Sequence, residues 1–369
     1  MGNKNTIVKT RDSGVELLRI ILMLQVIYLH VSNFGKFAAI NLELGGIHEL
    51  IYWLHQMLSR CPVYVFILIS GYFSVTSKAT IKNIWPKAGK VYSSAVFYSL
   101  GITLLLLITG ITNVDLGDIV KSFFPLTSRT WYFISTYLIV FVLSPVVNLA
   151  LTRLSKKEYA ILIAVLFFLF SIWQIGSNVA PFNSIISVNS VAEATKGRGI
   201  YGFLFMYILG GYIRLHLKQH DKPRWRYLAM FFGFAFIDVA LVYLLRGVPI
   251  LENYLSVVNH NNAPIAIMQG VCLLLFFRTV HFKSKIINKI SSHNLGVYMF
   301  HEHWLMRGVI WDKLFVVTQN PTFYASPFYL IKIYGIIIAI YAVGTVIDMG
   351  RELIFNTLGK LLKKLRKNN

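Results

Sequence analysis

The feature that most constrains this chain is a succession of apolar runs long enough to cross a bilayer. A hydrocarbon core takes about 20 apolar residues in helix. Ten stretches fit that template: 14–34, 50–74, 88–110, 131–152, 158–175, 200–213, 225–245, 262–280, 292–311 and 327–350. The sixth is short and relies on apolar character continuing to Leu217. No segment alternates apolar and polar residues as a transmembrane barrel would. Hydrophobic residues make up 56% and charged residues 14%, whereas a soluble domain carries about 25% charged residues. That composition excludes an ordinary cytosolic enzyme. The expected fold is an all-α integral membrane protein of about ten transmembrane helices.

The formal charge of +21 would suggest nucleic acid in a soluble chain, so the placement of the cations decides. With the N-terminus cytoplasmic, 25 of the 36 Lys and Arg fall in inside segments and 7 in outside loops, where they are matched by 7 acidic residues. The excess follows the positive-inside rule. No nucleic-acid partner is expected, and both termini are expected in the cytoplasm. The first run follows Lys4, Lys9 and Arg11 but is too long for a signal peptide and lacks a small-residue cleavage site, so it reads as a retained helix. Residues 1–353 read as one multi-span domain, and 354–369 as a basic amphipathic tail on the inner leaflet. A merely solvated basic tail fits that segment equally well. Cys61 and Cys272 lie inside apolar runs, so neither a disulfide framework nor a cysteine metal site is encoded.

Ionisable side chains inside lipid are functional candidates by default. The first run holds Glu16, Arg19 and His30. Arg19 and His30 are eleven residues apart, almost three turns, and so share one helix face about 16 Å apart along the axis. Glu16 is within pairing reach of Arg19. Spacing alone also fits a snorkelling Arg and an interfacial His. The second run places Arg60 near the midplane, followed by Pro62, which frees a carbonyl and predicts a locally opened helix. Ser70-Gly71 in the same run reads as small residues for close helix packing. The ninth run places His301 near the midplane with Tyr298 one turn away, and puts His303 and Arg307 on a common face. His301 and His303 point in nearly opposite directions and cannot share an ion, so no metal is expected. Gly197-Arg-Gly199-Ile-Tyr-Gly202 matches the dinucleotide fingerprint only in spacing. It lacks the preceding strand that the fingerprint needs. Asp238, Lys332 and Asp348 read as isolated charges.

These residues also carry a resemblance. Glu16-Leu-Leu-Arg19, ten residues and then His30 resembles the opening motif of the membrane-bound acyltransferase 3 family. The stretch from Arg60-Cys-Pro62 through Phe66 to Ser70-Gly71-Tyr72 is similar to that family's second-span motif, Pro-x-Phe-Phe-x-x-Ser-Gly-Tyr. Trp131-Tyr132-Phe133 resembles its entry to the fourth span, and Leu295-Gly296-Val-Tyr298-Met-Phe-His301 its late Gly-Ile-Tyr-Leu-Ile-His run. The likeness spans Val15 to about Asp348. The usual Asp three before the Arg is Glu16 here, and no hydrolase-like domain follows the last span.

The resemblance implies transfer of an acyl group, usually acetyl, from cytoplasmic acyl-CoA to a hydroxyl of a cell-surface or lipid-linked polysaccharide, with Arg19 and His30 needed for activity. The implied home is the bacterial cytoplasmic membrane. The donor, acetyl-CoA or another acyl-CoA, is a substrate rather than a resident cofactor. Chemically, His30 suits a general base and Arg19 suits the donor's phosphates or arm. Arg60 and His301 are candidates for oxyanion stabilisation, and Glu16 for orienting Arg19. Arg129 and Trp131 are candidates for acceptor contact at the outer mouth. An acyl-His intermediate is the alternative route. A succinyl donor, a glycan transporter or flippase and a non-catalytic assembly partner are the rival readings. The sequence leaves the oligomeric state open.

Overall fold

The computed structural model describes residues 12–35, 46–78, 80–128, 130–173, 196–246, 248 and 260–368. Among the described residues there is no strand. In chain order the helices are α1 (Ser13–Phe34), α2 (Gly46–Ser59), α3 (Pro62–Ser74), α4 (Ile81–Thr109) and α5 (Leu116–Phe123). They continue as α6 (Tyr132–Leu151), α7 (Lys156–Phe167), α8 (Ile200–His216), α9 (Trp225–Leu244) and α10 (Pro264–Phe277). The last five are α11 (Lys285–Ser291), α12 (Asn294–His301), α13 (Trp304–Gly308), α14 (Pro321–Ala325) and α15 (Tyr329–Asn368).

Among the described residues, six segments are long and apolar enough to cross a bilayer: Ser13–Phe34, Gly46–Ser74, Ile81–Thr109, Tyr132–Leu151, Trp225–Leu244 and Tyr329–Leu361. The other four expected runs also fall on helix but in shorter pieces. One lies on α7 and the π-helical turn Phe168–Ile172, one on α8, one on the 14-residue α10, and one on α12 and its continuation. The expected ninth run is not one continuous helix. α12 ends at His301, Glu302 and His303 form a break, and α13 restarts with the His303 ring accepting from the Leu305 amide at 3.3 Å. The last helix continues without interruption through the boundary expected near residue 353.

The chain's local chemistry explains several ends. Asp12 caps α1 by accepting from the Gly14 amide at 3.1 Å. Pro62 opens α3 as its first residue, where its missing N–H costs nothing. The opened helix expected around Pro62 is therefore a break at Arg60 and Cys61 between two helices. Ser155 and Glu158 close a capping box on α7.

α1 is the central element, packed against α2, α3, α10, α11, α12 and α15. Val15, Leu18 and Leu22 belong to one apolar cluster, with α3, α8 and α10. Met23, Val26, Ile27 and Val31 belong to another, with α4, α12 and α15. Helices in lipid gain no hydrophobic drive from meeting each other, so close backbone approach through small residues holds them. α3 against α8 shows this directly. A methyl on Gly71 would lie 2.0 Å from the Tyr207 carbonyl oxygen, and one on Gly210 would lie 2.1 Å from that of Leu68.

Candidate active site

The two ends of α1 carry two polar groups. At its N-terminal end Glu16 is buried and divides its carboxylate between two donors. Arg19 donates to Oε1 at 2.7 Å, and the Ser291 hydroxyl donates to Oε2 at 2.6 Å. The Arg19 guanidinium stands 5.8 Å over the Phe73 ring. The expected orientation of Arg19 by Glu16 is present, with Ser291 as a support that sequence reasoning missed.

At the other end, α1 brings His30 against the break after α12. Nδ1 of His30 lies 3.0 Å from Nε2 of His301 and 3.3 Å from Oε1 of Glu302. The tautomers follow from the remaining partner. Nδ1 of His301 lies 2.6 Å from the Val297 carbonyl oxygen, which only accepts, so His301 carries its proton there. In the neutral ring Nε2 of His301 is then bare and accepts from Nδ1–H of His30. Nε2 of His30 is left as a lone pair, on a side chain that stays 16% exposed. Glu302 also faces Arg307, whose Nη1 is 3.9 Å from Oε2. Arg307 in turn lies over Phe34.

Glu302 escaped the sequence reading because adjacent residues on a continuous helix diverge by about 100°. Ending α12 at His301 lets both residues face His30. An ionisable residue within an apolar run was the available signal. His301, His30 and Glu302 each offer a ligand atom, and these atoms lie within 4.8 Å of one another. They are thus a set that could hold a divalent cation, whereas the expectation of no metal had weighed His301 only with His303. His303 turns elsewhere, stacked on Trp304 at 3.9 Å and edge-on to Trp131 at 5.9 Å. Glu302 and Arg307, rather than His303, are the groups that complete the site.

Aromatic rings lead from the His301 end onto α6. Phe133, Tyr137 and Phe141 stack along α6, with centroids 6.0 and 5.8 Å apart. Phe133 lies 5.5 Å from Tyr298, and Tyr298 lies 6.1 Å from His301.

Other expected residues lie elsewhere. Arg60 is buried against Asp238 of α9, with Nε 3.3 Å from Oε1 of Gln269 on α10. Asp238 is therefore not isolated. It is the countercharge that a midplane guanidinium requires. Asp348 is not isolated either. It accepts from Tyr98 at 2.8 Å and Arg351 at 2.6 Å, and bonds to Nδ1 of His293 at 2.7 Å. Lys332 bonds to Ser326 at 3.2 Å. Trp131 is 0% exposed, so its ring offers no face to an acceptor at a mouth. Arg129 lies outside the described residues.

No curated protein and no solved structure matches the chain. The profile of an acyltransferase domain matches residues 12–347 and takes in both ends of α1, the Arg60 break and the His301–Glu302 break. The chain belongs to the acyltransferase 3 family.

Proposed function

We propose that the protein transfers an acyl group, most simply acetyl, from cytoplasmic acyl-CoA to a hydroxyl of a cell-surface or lipid-linked polysaccharide. It would do so in the bacterial cytoplasmic membrane, as a ten-span domain with both termini inside and a basic tail on the inner leaflet. The observation that carries the reading is the bare Nε2 of His30, fixed by the His301 acceptor and backed by the Glu302 carboxylate. A base held in one tautomer beside a carboxylate is what removal of a hydroxyl proton requires.

In this reaction Nε2 of His30 takes the acceptor's proton as its oxygen attacks the thioester carbonyl. The tetrahedral intermediate collapses, the carbon–sulfur bond breaks, and the thiolate of coenzyme A receives the proton back from His30. The imidazolium formed in between keeps Nδ1–H on His301 and gains the charge of Glu302, 3.3 Å away. Arg307 supplies the positive charge beside the carboxylate. Arg19, held by Glu16, would engage the donor at the cytoplasmic end. The thin acyl-bearing arm would pass the ring column of Tyr137, Phe133 and Tyr298 to reach His30. Arg60, neutralised by Asp238, holds the helix break in place rather than facing the reacting carbonyl.

The test is proton NMR of the purified surface glycan from cells lacking the protein, complemented with the native chain or with His30→Ala. O-acyl signals should vanish in the null strain and return only with the native chain, and their shifts name the acyl group and the position. Restoration by His30→Ala would overturn the base assignment. Loss of the whole glycan would indicate transport or assembly instead.

A further inference from the structure

The Gly197-Arg198-Gly199 turn that leads into α8 is unaccounted for by the dinucleotide fingerprint it imitates. Lys196 and Gly197 both take positive φ, 49° and 76°, so the backbone turns sharply just before the N-terminus of α8. Gly199 caps α8 without a side chain, so the first amides of a 17-residue helix have no capping partner from that residue. The Tyr64 side chain is 1% exposed, and its hydroxyl has no hydrogen-bond partner among the described residues. That hydroxyl is aimed into the turn. A methyl on Gly197 or Gly202 would lie 2.5 or 2.2 Å from it.

Of the other cations in the expected outside loops, Lys121 has Asp118 at 3.6 Å and Arg246 has Glu49, while Lys313 bonds to the Ile111 carbonyl. Lys196 and Arg198 are exposed and, among the described residues, meet no carboxylate. Arg198 instead lies over the Tyr132 ring, its guanidinium carbon 5.6 Å from the centroid, and among the described residues its donors make no hydrogen bond. Tyr132 is next to Phe133 of the ring column, and the charges of Arg198 and Arg307 both reach His30 and Glu302.

We propose that this turn is an acidic-group subsite: the acceptor glycan carries a phosphate or carboxylate near the hydroxyl that is acylated, and Arg198 with the Lys196–Gly199 amides and the Tyr64 hydroxyl holds it. The proposal rests on the acyl-transfer reading and narrows its acceptor to an anionic glycan. A fork of donors matches either anion. Binding at one end of the sugar fixes the attacking hydroxyl over His30, which is how remote binding energy becomes positional selectivity.

The experiment uses membranes containing the full-length native chain, Arg198→Gln, Arg198→Lys or His30→Ala. Each is given acetyl-labelled acetyl-CoA and envelope glycan from cells lacking the protein. His30-dependent label should appear in material that binds an anion exchanger. Aqueous hydrofluoric acid should abolish that binding if the group is a phosphodiester, and carbodiimide–borohydride reduction if it is a carboxylate. Arg198→Gln should raise the acceptor KM about tenfold or more, the scale of one lost charge-assisted hydrogen bond, with kcat nearly unchanged and Arg198→Lys intermediate. Rising ionic strength should weaken acceptor binding for the native chain and not for Arg198→Gln. Label in neutral glycan, or a native KM in Arg198→Gln, overturns the subsite. Absence of any His30-dependent label overturns the acyl-transfer reading, and the subsite with it.

Discussion

Nε2 of His301 lies 3.0 Å from Nδ1 of His30, although the residues are 271 apart in the chain. The contact makes His301 a positioning residue: it fixes which nitrogen of His30 carries the proton. A side chain that accepts a hydrogen bond can replace it, and one that cannot leaves Nδ1–H buried without that partner. His301→Gln should therefore keep most of the acyl-transfer rate, while His301→Leu loses about tenfold in kcat, the effect of one hydrogen bond. Acceptor and donor KM should move little. Equal losses in the two variants would contradict the tautomer role.

Glu302 contributes charge more than shape. Glu302→Gln preserves the volume, but it leaves the transient imidazolium without the carboxylate charge 3.3 Å from Nδ1. The expected loss is about 10- to 100-fold in kcat, the range of a charge-assisted hydrogen bond. The same three side chains could hold a cation, and the proton relay does not require one. Dialysis of the detergent-extracted enzyme against a chelator should leave transfer unchanged. A loss that zinc restores would reassign the triad as a metal centre.

The sequence carried the helical class and the polar ends of α1 because both are one-dimensional signals. Long apolar runs mark helices in lipid, and Glu16, Arg19 and His30 stand out within one. What it could not carry is pairing at a distance. Arg60 and Asp238 are 178 residues apart, so the sequence left the partner of Arg60 unnamed and Arg60 a candidate for oxyanion stabilisation. Glu302 was hidden by the assumption of an unbroken helix, and the burial of Trp131 by the expectation of acceptor contact at the outer mouth. In each case the deciding fact is what the neighbouring helix brings.

The Arg60–Asp238 pair yields a sharp expectation. Removing one partner leaves a buried charge, which costs about 3–5 kcal/mol, whereas replacing both with apolar residues is close to neutral. Arg60→Met should lower the thermal midpoint and the membrane yield. Arg60→Met with Asp238→Leu should recover most of both. Transfer rate per folded molecule should be within a fewfold of native in the double variant. Inactivity in a stable double variant would return Arg60 to the reacting centre.

His281 gives the pH dependence. It sits in the loop between α10 and α11 and bonds to the Asp12 carboxylate that caps α1. The Asp12 hydrogen bond holds the imidazole pKa above its usual 6.5. A group whose folded value is raised stabilises the fold below its unfolded value and loses that contribution as pH climbs through the folded value. The native chain should therefore melt above His281→Gln at pH 6, with the gap closing as pH rises through the raised folded value. A gap that stays constant to pH 9 would mean the ring acts by packing alone.

The α3–α8 contact is the last place where one atom decides the outcome. A methyl at Gly71 would meet the Tyr207 carbonyl oxygen at 2.0 Å, and the next nearest atoms are also Tyr207 backbone. Neither helix has a flexible side chain there that could yield, so the helices must separate. Gly71→Ala should destabilise the fold by about 1–3 kcal/mol, as overpacking does. Gly233 offers the control, since nothing lies within 4 Å of a methyl there. In thermal melts monitored by intrinsic fluorescence, Gly233→Ala should match the native chain while Gly71→Ala falls clearly below it. If the two variants melt together, the close approach of α3 and α8 is not what holds this half of the molecule.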